Sequence, residues 1–428
     1  MSVTAPAWVD YAVWWHVYPL GFVGAEQEGI DTVHHRLGHL VGWLDHLVSI
    51  GCNGLLLGPV FASESHGYDT IDHRRIDPRL GDEEDFRQLV SEAHDRGIRV
   101  VLDGVFNHVG RGNPIARRAE QAGPGTPEGA WLRWVDGHVR CFEGSLNLPE
   151  LDLSHPPVRD HVIEVMRYWL DRGVDGWRLD AAYAPGAEAW APISAAIRDS
   201  HPEAWLFGEV IHGDLPRFVT TSGLHGVTQY ELWKAIWSAL NDTNLWELAH
   251  ALGRHAEFCR AFLPQTFVGN HDVTRIRSQL TDDRHLGHAV ALLALLPGVP
   301  SIYYGDEHGW TGVKEERAGG DDEVRPSMPR SPEDLSELGR PILALHQELV
   351  AVRRRHPWLV RAEVAVEAVT NETILVTCTD TAGGGQHALA LSLNIDEASR
   401  PMPAGTVIAQ SGDDLLEIEP HGWAVLER

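Results

Sequence analysis

The sequence predicts an α/β fold of the (β/α)8 TIM-barrel type, with a small insertion after the third strand and a C-terminal antiparallel β domain. Three observations predict it. Short, nearly continuous apolar segments recur eight times between longer amphipathic stretches, the alternation of a parallel sheet wrapped by helices. Several of these segments end on a carboxylate. Beyond residue 355 the pattern changes to short alternating runs, which read as antiparallel strands.

The eight expected strands are Val13–Tyr18, Gly54–Leu57, Arg99–Asp103, Gly176–Leu179, Trp205–Gly208, Gly226–Tyr230, Thr266–Gly269 and Ser301–Tyr304, apolar along their length as doubly covered strands are. Between them lie helical patterns. Asp82–Arg96 opens on acidic residues, places Phe86, Leu89, Val90 and Ala93 on one face and stops at Gly97. Val158–Arg172 behaves in the same way and stops at Gly173, and Arg340–Arg354 is a further helix. The stretch after the third strand is rich in Gly, Pro, Arg and Glu with little periodicity and is too long for a turn, so residues 109–153 are expected to form an inserted subdomain. The barrel then comprises residues 1–108 and 154–355. The runs ETILVTC, HALALSLN and GWAVLER assign residues 356–428 to a C-terminal β-sandwich.

Composition limits the partners. A formal net charge of -26 over 428 residues disfavours nucleic acid and anionic membranes, both of which need clustered Lys and Arg. No run of about 18 apolar residues is present to span a bilayer. A neutral substrate suits this surface better, and the oligomeric state is left open. Four cysteines, Cys52, Cys141, Cys259 and Cys378, lack metal-ligand spacing and are too few for a disulfide scaffold. The opening MSVTAPAWVDYAVWWHVYPL has no basic region followed by an unbroken apolar one, so it is expected to begin the fold, and a cytoplasmic location follows.

In a βα barrel the chemistry gathers where strands end, so carboxylates there are informative. Asp103, Asp180, Glu209 and Asp272 close strands three, four, five and seven. One such Asp is most often a helix cap. Four, accompanied by Arg178, Asn270 and His271, are hard to assign to capping. Arg178 lies two residues before Asp180 on one strand, points to the same side and can hold it ionised.

The stretches around these residues resemble those of the α-amylase superfamily of glycoside hydrolases. They are Asp103-Gly104-Val105-Phe106-Asn107-His108, Gly176-Trp177-Arg178-Leu179-Asp180, Gly208-Glu209-Val210 and Asn270-His271-Asp272. Supporting stretches are Trp14 to Pro19, His66-Gly67-Tyr68-Asp69 and Pro297 to Glu307, and the resemblance runs in order over roughly residues 12 to 355. The pieces DGVFNHVG, GWRLDAA, GEVIHG and GDDEVRPSMP are similar to the cyclomaltodextrinase, neopullulanase and α-glucosidase side of that superfamily.

The resemblance implies a retaining α-glycoside hydrolase acting on short α-linked gluco-oligosaccharides. Asp180 is the implied nucleophile, Glu209 the general acid/base and Asp272 the stabiliser of the transition state. The chemistry asks for such residues independently, since retention needs one carboxylate to attack the anomeric carbon and a second carboxyl to protonate the leaving oxygen. His108 and His271 resemble the pair that holds sugar hydroxyls, and Tyr68 the aromatic platform beneath the sugar. Asp69 and Arg275 are expected to close one end of the pocket, as in exo-acting α-glucosidase relatives. Asp103 is expected to pair with Arg178; Asp306 and Glu307 read as structural. No cofactor is expected. Asn107 matches a calcium-ligand position in some relatives, but Asp180-Ala181-Ala182-Tyr183 departs from the Lys-His that follows the nucleophile in calcium-dependent ones. A transglycosidase or sugar isomerase using the same intermediate is the alternative, because only the acceptor differs. A non-catalytic sugar-binding homologue is disfavoured by the presence of all three carboxylates.

Overall fold

A computed structural model describes residues 3–317 and 319–428. Its centre is a parallel sheet of eight strands: β1 (Trp14–Val17), β2 (Gly54–Leu57), β3 (Arg99–Gly104), β4 (Gly176–Leu179), β5 (Trp205–Gly208), β6 (Gly226–Val227), β7 (Gln265–Phe267) and β8 (Val299–Tyr303). The strand order is β6-β5-β4-β3-β2-β1-β8-β7. A single parallel bridge between Thr228 and Gln265 brings β6 against β7 and nearly closes the sheet into a barrel. All eight expected strands are present within a few residues of their expected ends.

Residue alternation explains the barrel's two sides. Trp15, Leu55, Val100, Leu102, Trp177, Leu179 and Leu206 face outward into the layer shared with the helices. Trp14, Leu56, Val101, Trp205, Phe207 and Val299 fill the interior, where the rings of Trp14 and Trp205 stack with centroids 5.2 Å apart. This packing requires glycine at position 54: a Cβ there would lie 2.3 Å from Trp14 Cε3. Continuing the inward register two residues up each strand leads from Trp14 to His16, from Val101 to Asp103, from Arg178 to Asp180 and from Phe207 to Glu209. Polar groups therefore cap an apolar barrel floor.

The helices that cover the barrel include α1 (Leu44–Ile50), α2 (Glu83–Asp95), α3 (Pro156–Leu170), α4 (Ala187–Ser200), α5 (Leu215–Ser222), α6 (Tyr230–Asn241), α7 (Leu245–Ala261), α8 (Leu286–Leu295) and α9 (Arg340–Arg355). At the start of α2, Asp82 and Asp85 form a reciprocal capping box. The third helix starts two residues earlier than the sequence pattern suggests, because Pro156 and Pro157 occupy first-turn positions whose N–H groups have no partner within the helix anyway. Between β3 and α3 lie a helix, Pro114–Ala122, and a hairpin pairing Trp134–Val135 with His138–Val139. Residues His108 and Glu150 bridge this segment to the barrel rim. The C-terminal part is an antiparallel sheet of β9 (Glu363–Val369), β10 (Thr373–Thr379), β11 (Ala388–Asn394), β12 (Thr406–Gln410) and β13 (Trp423–Glu427), ordered β9-β10-β11-β13-β12. Among the described residues no helix is long and apolar enough to cross a membrane.

Candidate active site

The strand ends converge on one guanidinium. Arg178 reaches Asp103 Oδ2 at 2.5 Å and Asp180 Oδ1 at 3.3 Å through Nη1, and Glu209 Oε1 at 2.9 Å through Nη2. All four side chains are buried. Glu209 accepts two further hydrogen bonds, from the Ala181 N–H at 3.0 Å and the Tyr230 hydroxyl at 3.1 Å. The first of these depends on the backbone: Ala181 has φ +44°, a left-handed conformation unfavourable for a residue with a Cβ, and such outliers concentrate where a site holds a group in place.

On the opposite wall, Asp272 Oδ2 lies 2.9 Å from His271 Nε2, and Asp272 Oδ1 accepts from Arg325 Nη2 at 3.0 Å. Arg325 also donates through Nε to the His271 carbonyl at 2.9 Å, pairs with Asp321 at 3.0 Å and lies 4.6 Å from the centre of the Tyr18 ring. Asn270 donates to the Tyr230 hydroxyl at 3.0 Å and accepts from the Asp272 N–H at 2.8 Å, linking the two walls. Tyr68 hydrogen bonds to Asp103 at 3.0 Å and to His271, so the ring is fixed between β3 and β7. His108 Nε2 stands 4.0 Å from Asp180 Oδ2, and its ring stacks on Phe142 at 4.5 Å. A cavity of about 780 Å³ opens beside this constellation, lined by Tyr18, His66, Tyr68, Phe142, Glu143 and Arg325 among others.

These surroundings separate the carboxylates electrostatically. Burial opposes the charge on Asp272, yet His271 and Arg325 hold it well below the usual carboxylate range. Burial and then the charge of Glu209 push Asp180 up, against Arg178. The expected charge pairing of Arg178 with Asp180 is present, but the charge of Arg178 is divided among three carboxylates, and its contact with Asp180 is the longest of the three. Burial lowers His108 to about 4, which leaves it a neutral imidazole at neutral pH.

The structure gathers Tyr68, His108, Arg178, Asp180, Glu209, His271 and Asp272 in one place. Arg275 is elsewhere. Its guanidinium is fully buried beneath the rim, donating to Asp306 Oδ1 at 2.7 Å and to the carbonyls of Tyr304 and Val324, with the Tyr303 ring 4.6 Å away. It does not reach the pocket, and the expected closure by Asp69 and Arg275 fails, because Asp306 on the loop after β8 captures the cation first. Asp69 is buried behind Tyr68 and accepts from the Ser65 hydroxyl at 2.6 Å. The guanidinium at the pocket wall is Arg325, which sequence reasoning missed although it lies within GDDEVRPSMP. Tyr230 was missed as well, despite ending the expected sixth strand. The Asn107 Oδ1 atom is buried without a hydrogen-bond partner among the described residues. Among the described residues no group of three or more His, Cys, Asp or Glu side chains close enough to share an ion lies at Asn107.

The chain is also similar to known proteins in sequence and in fold. A family model described as the alpha-amylase catalytic domain matches residues 16–146 and 138–337. A cyclomaltodextrinase from Geobacillus thermopakistaniensis is 30% identical, covering 93% of this chain and 71% of its own length. An intracellular maltogenic amylase from Bacillus subtilis is 26% identical over 99% of this chain and 77% of its own. The ligand-free structure of a cyclic alpha-maltosyl-(1→6)-maltose hydrolase from Arthrobacter globiformis superimposes with a TM-score of 0.83, at 27% identity, covering 99% of this chain and all of that one.

Proposed function

The chain belongs to the alpha-amylase family of glycoside hydrolases, and from that premise we propose that it hydrolyses short α-linked gluco-oligosaccharides with retention, using Asp180 as nucleophile and Glu209 as general acid/base. Asp272 stabilises the oxocarbenium-like transition state. The observation that carries this reading is the placement of Asp180 and Glu209 on two different nitrogens of one guanidinium, with Asp272 held anionic on the facing wall.

In the proposed first step, Asp180 attacks the anomeric carbon while Glu209 gives its proton to the leaving oxygen. The two events support each other. A proton on Glu209 removes the charge that, after burial, pushes Asp180 up, leaving Arg178 to favour the attacking anion. Once the proton has gone, Arg178, Tyr230 and the Ala181 N–H stabilise the Glu209 carboxylate. In the second step Glu209 takes a proton from water, which attacks the glycosyl-enzyme ester and frees Asp180. Tyr68 supplies an aromatic surface for the sugar, and His108 and His271 offer hydrogen bonds to its hydroxyls.

Short substrates follow from the relatives' names, which specify maltogenic amylase, cyclomaltodextrinase and a cyclic maltosyl-maltose hydrolase. Product analysis over maltooligosaccharides, cyclodextrins, isomaltose, trehalose, sucrose and pullulan tests the reading. Release of glucose or maltose from the first two groups is expected. Isomerised or longer products without net hydrolysis would replace it with transfer chemistry.

A further inference from the structure

Outside the active site the structure brings together a second set of reactive groups. The short 3-10 turn after β8, Asp306–His308, turns Asp306 toward Arg275 and its next two residues toward α1. There His46 Nε2 stands 3.2 Å from Glu307 Oε1, and one ligand atom from each of His46, Glu307 and His308 lies within 4.8 Å of the others. All three residues are buried, with Glu307 fully inaccessible and His308 only 6% exposed.

We propose that His46, Glu307 and His308 form a site for one divalent transition-metal cation of the Zn²⁺ type. The donor set is two imidazoles and one carboxylate, which suits Zn²⁺ and its neighbours rather than the oxygen-seeking Ca²⁺ and Mg²⁺. Metal–ligand bonds of about 2.0–2.1 Å at a tetrahedral angle separate the ligand atoms by about 3.3 Å, close to the His46–Glu307 spacing. The strongest sign is at His308. Both of its ring nitrogens are buried without a hydrogen-bond partner among the described residues, an arrangement that costs free energy unless another group satisfies one of them.

The surroundings are those of a supported site. Glu307 Oε2 accepts from the Gly305 N–H at 2.8 Å, which fixes the carboxylate with its other oxygen toward His46. A cavity of about 140 Å³ borders His46 and His308, with room for a water as fourth ligand. Exposed Glu333 lines the same cavity, where Glu337 pairs with Arg340 at 2.6 Å. A bound ion would tie α1 to the loop that carries Asp306 and so reinforce the rim from behind.

The test uses the full chain, freed of metal by chelation and titrated with Co²⁺ as a spectroscopic probe. One equivalent is expected to produce the visible d–d absorption of tetrahedral Co²⁺, to be displaced by Zn²⁺ and to raise the melting temperature. His308→Leu should abolish both the band and the metal-dependent rise, and because it removes two unsatisfied nitrogens it should still fold without metal. His46→Gln provides a second variant with the same expected loss. His285→Leu, which alters the separate Asp282, His285 and His421 group, should keep the band. Absence of the band in the unmodified protein, or its survival in both His308→Leu and His46→Gln, would overturn the proposal.

Discussion

Arg325 Nη2 lies 3.0 Å from Asp272 Oδ1, joining the loop after β8 to the end of β7 across 53 residues of chain. The same guanidinium fixes the His271 carbonyl, so it orients two groups of the pocket at once. Arg325→Lys retains the charge but loses the fork, and kcat/KM on maltotriose should fall by roughly a hundredfold. Arg275→Met should act differently: it leaves Asp306 buried and unpaired, lowering stability by about 3 kcal/mol or more while folded enzyme keeps its kcat. Thermal melts and steady-state kinetics on both variants separate the two roles. Equal activity in Arg325→Lys and the unmodified enzyme would remove Arg325 from the site.

Asp180→Asn and Glu209→Gln change little in shape and remove charge or acidity. Each should cost at least about a thousandfold in kcat, with circular dichroism unchanged. The two should respond differently to the leaving group. Glu209→Gln should recover part of its first-step rate on an aryl glucoside, whose leaving oxygen needs no proton, whereas Asp180→Asn should not. Wild-type turnover by Asp180→Asn would reject the nucleophile assignment.

A covalent intermediate on Asp180 implies two inversions at the anomeric carbon. Proton NMR of fresh reaction mixtures should therefore show the α anomer first, with the β anomer growing only at the rate of mutarotation. Initial β product would mean that water attacks directly.

Stability should fall on the acid side of neutrality. Burial lowers His73, His108, His225, His255 and His288 each to about 4, against an ordinary value near 6.5. Folding thus disfavours their protonation. The stability this represents is complete above about pH 6.5 and is lost as pH falls toward 4, where the unfolded chain takes up protons that the folded one refuses. Each histidine costs roughly 2 kcal/mol by pH 5, so together they rival the total stability of a typical domain. Melting temperatures measured from pH 7.5 to 5 should drop steeply, with His255→Gln showing a shallower slope. A flat profile over that range would show that these rings charge without penalty.

Much of the barrel was legible in the sequence because it depends on local periodicity, which also sets carboxylates at the strand ends, whereas the roles proposed for Asp180, Glu209 and Asp272 came from resemblance to family motifs. Two-residue alternation carries Trp14 to His16, Val101 to Asp103 and Arg178 to Asp180 on the inward face whatever the rest of the chain does. What the alternation cannot convey is which partner a long side chain finds. Arg275, three residues after Asp272, turns away to Asp306, while Arg325 arrives from a loop with no periodicity to mark it. The ionisation of Asp180 is likewise a tertiary property, since it sums burial and the charges of Glu209, Arg178, Asp103 and Asp272, four groups from four different strand ends. Sequence alone determined the strands and the residue types that cap them, through interactions spanning a few residues. Only the closed barrel decided which guanidinium faces the pocket and how its charge is shared, because those outcomes rest on distances between segments far apart in the chain.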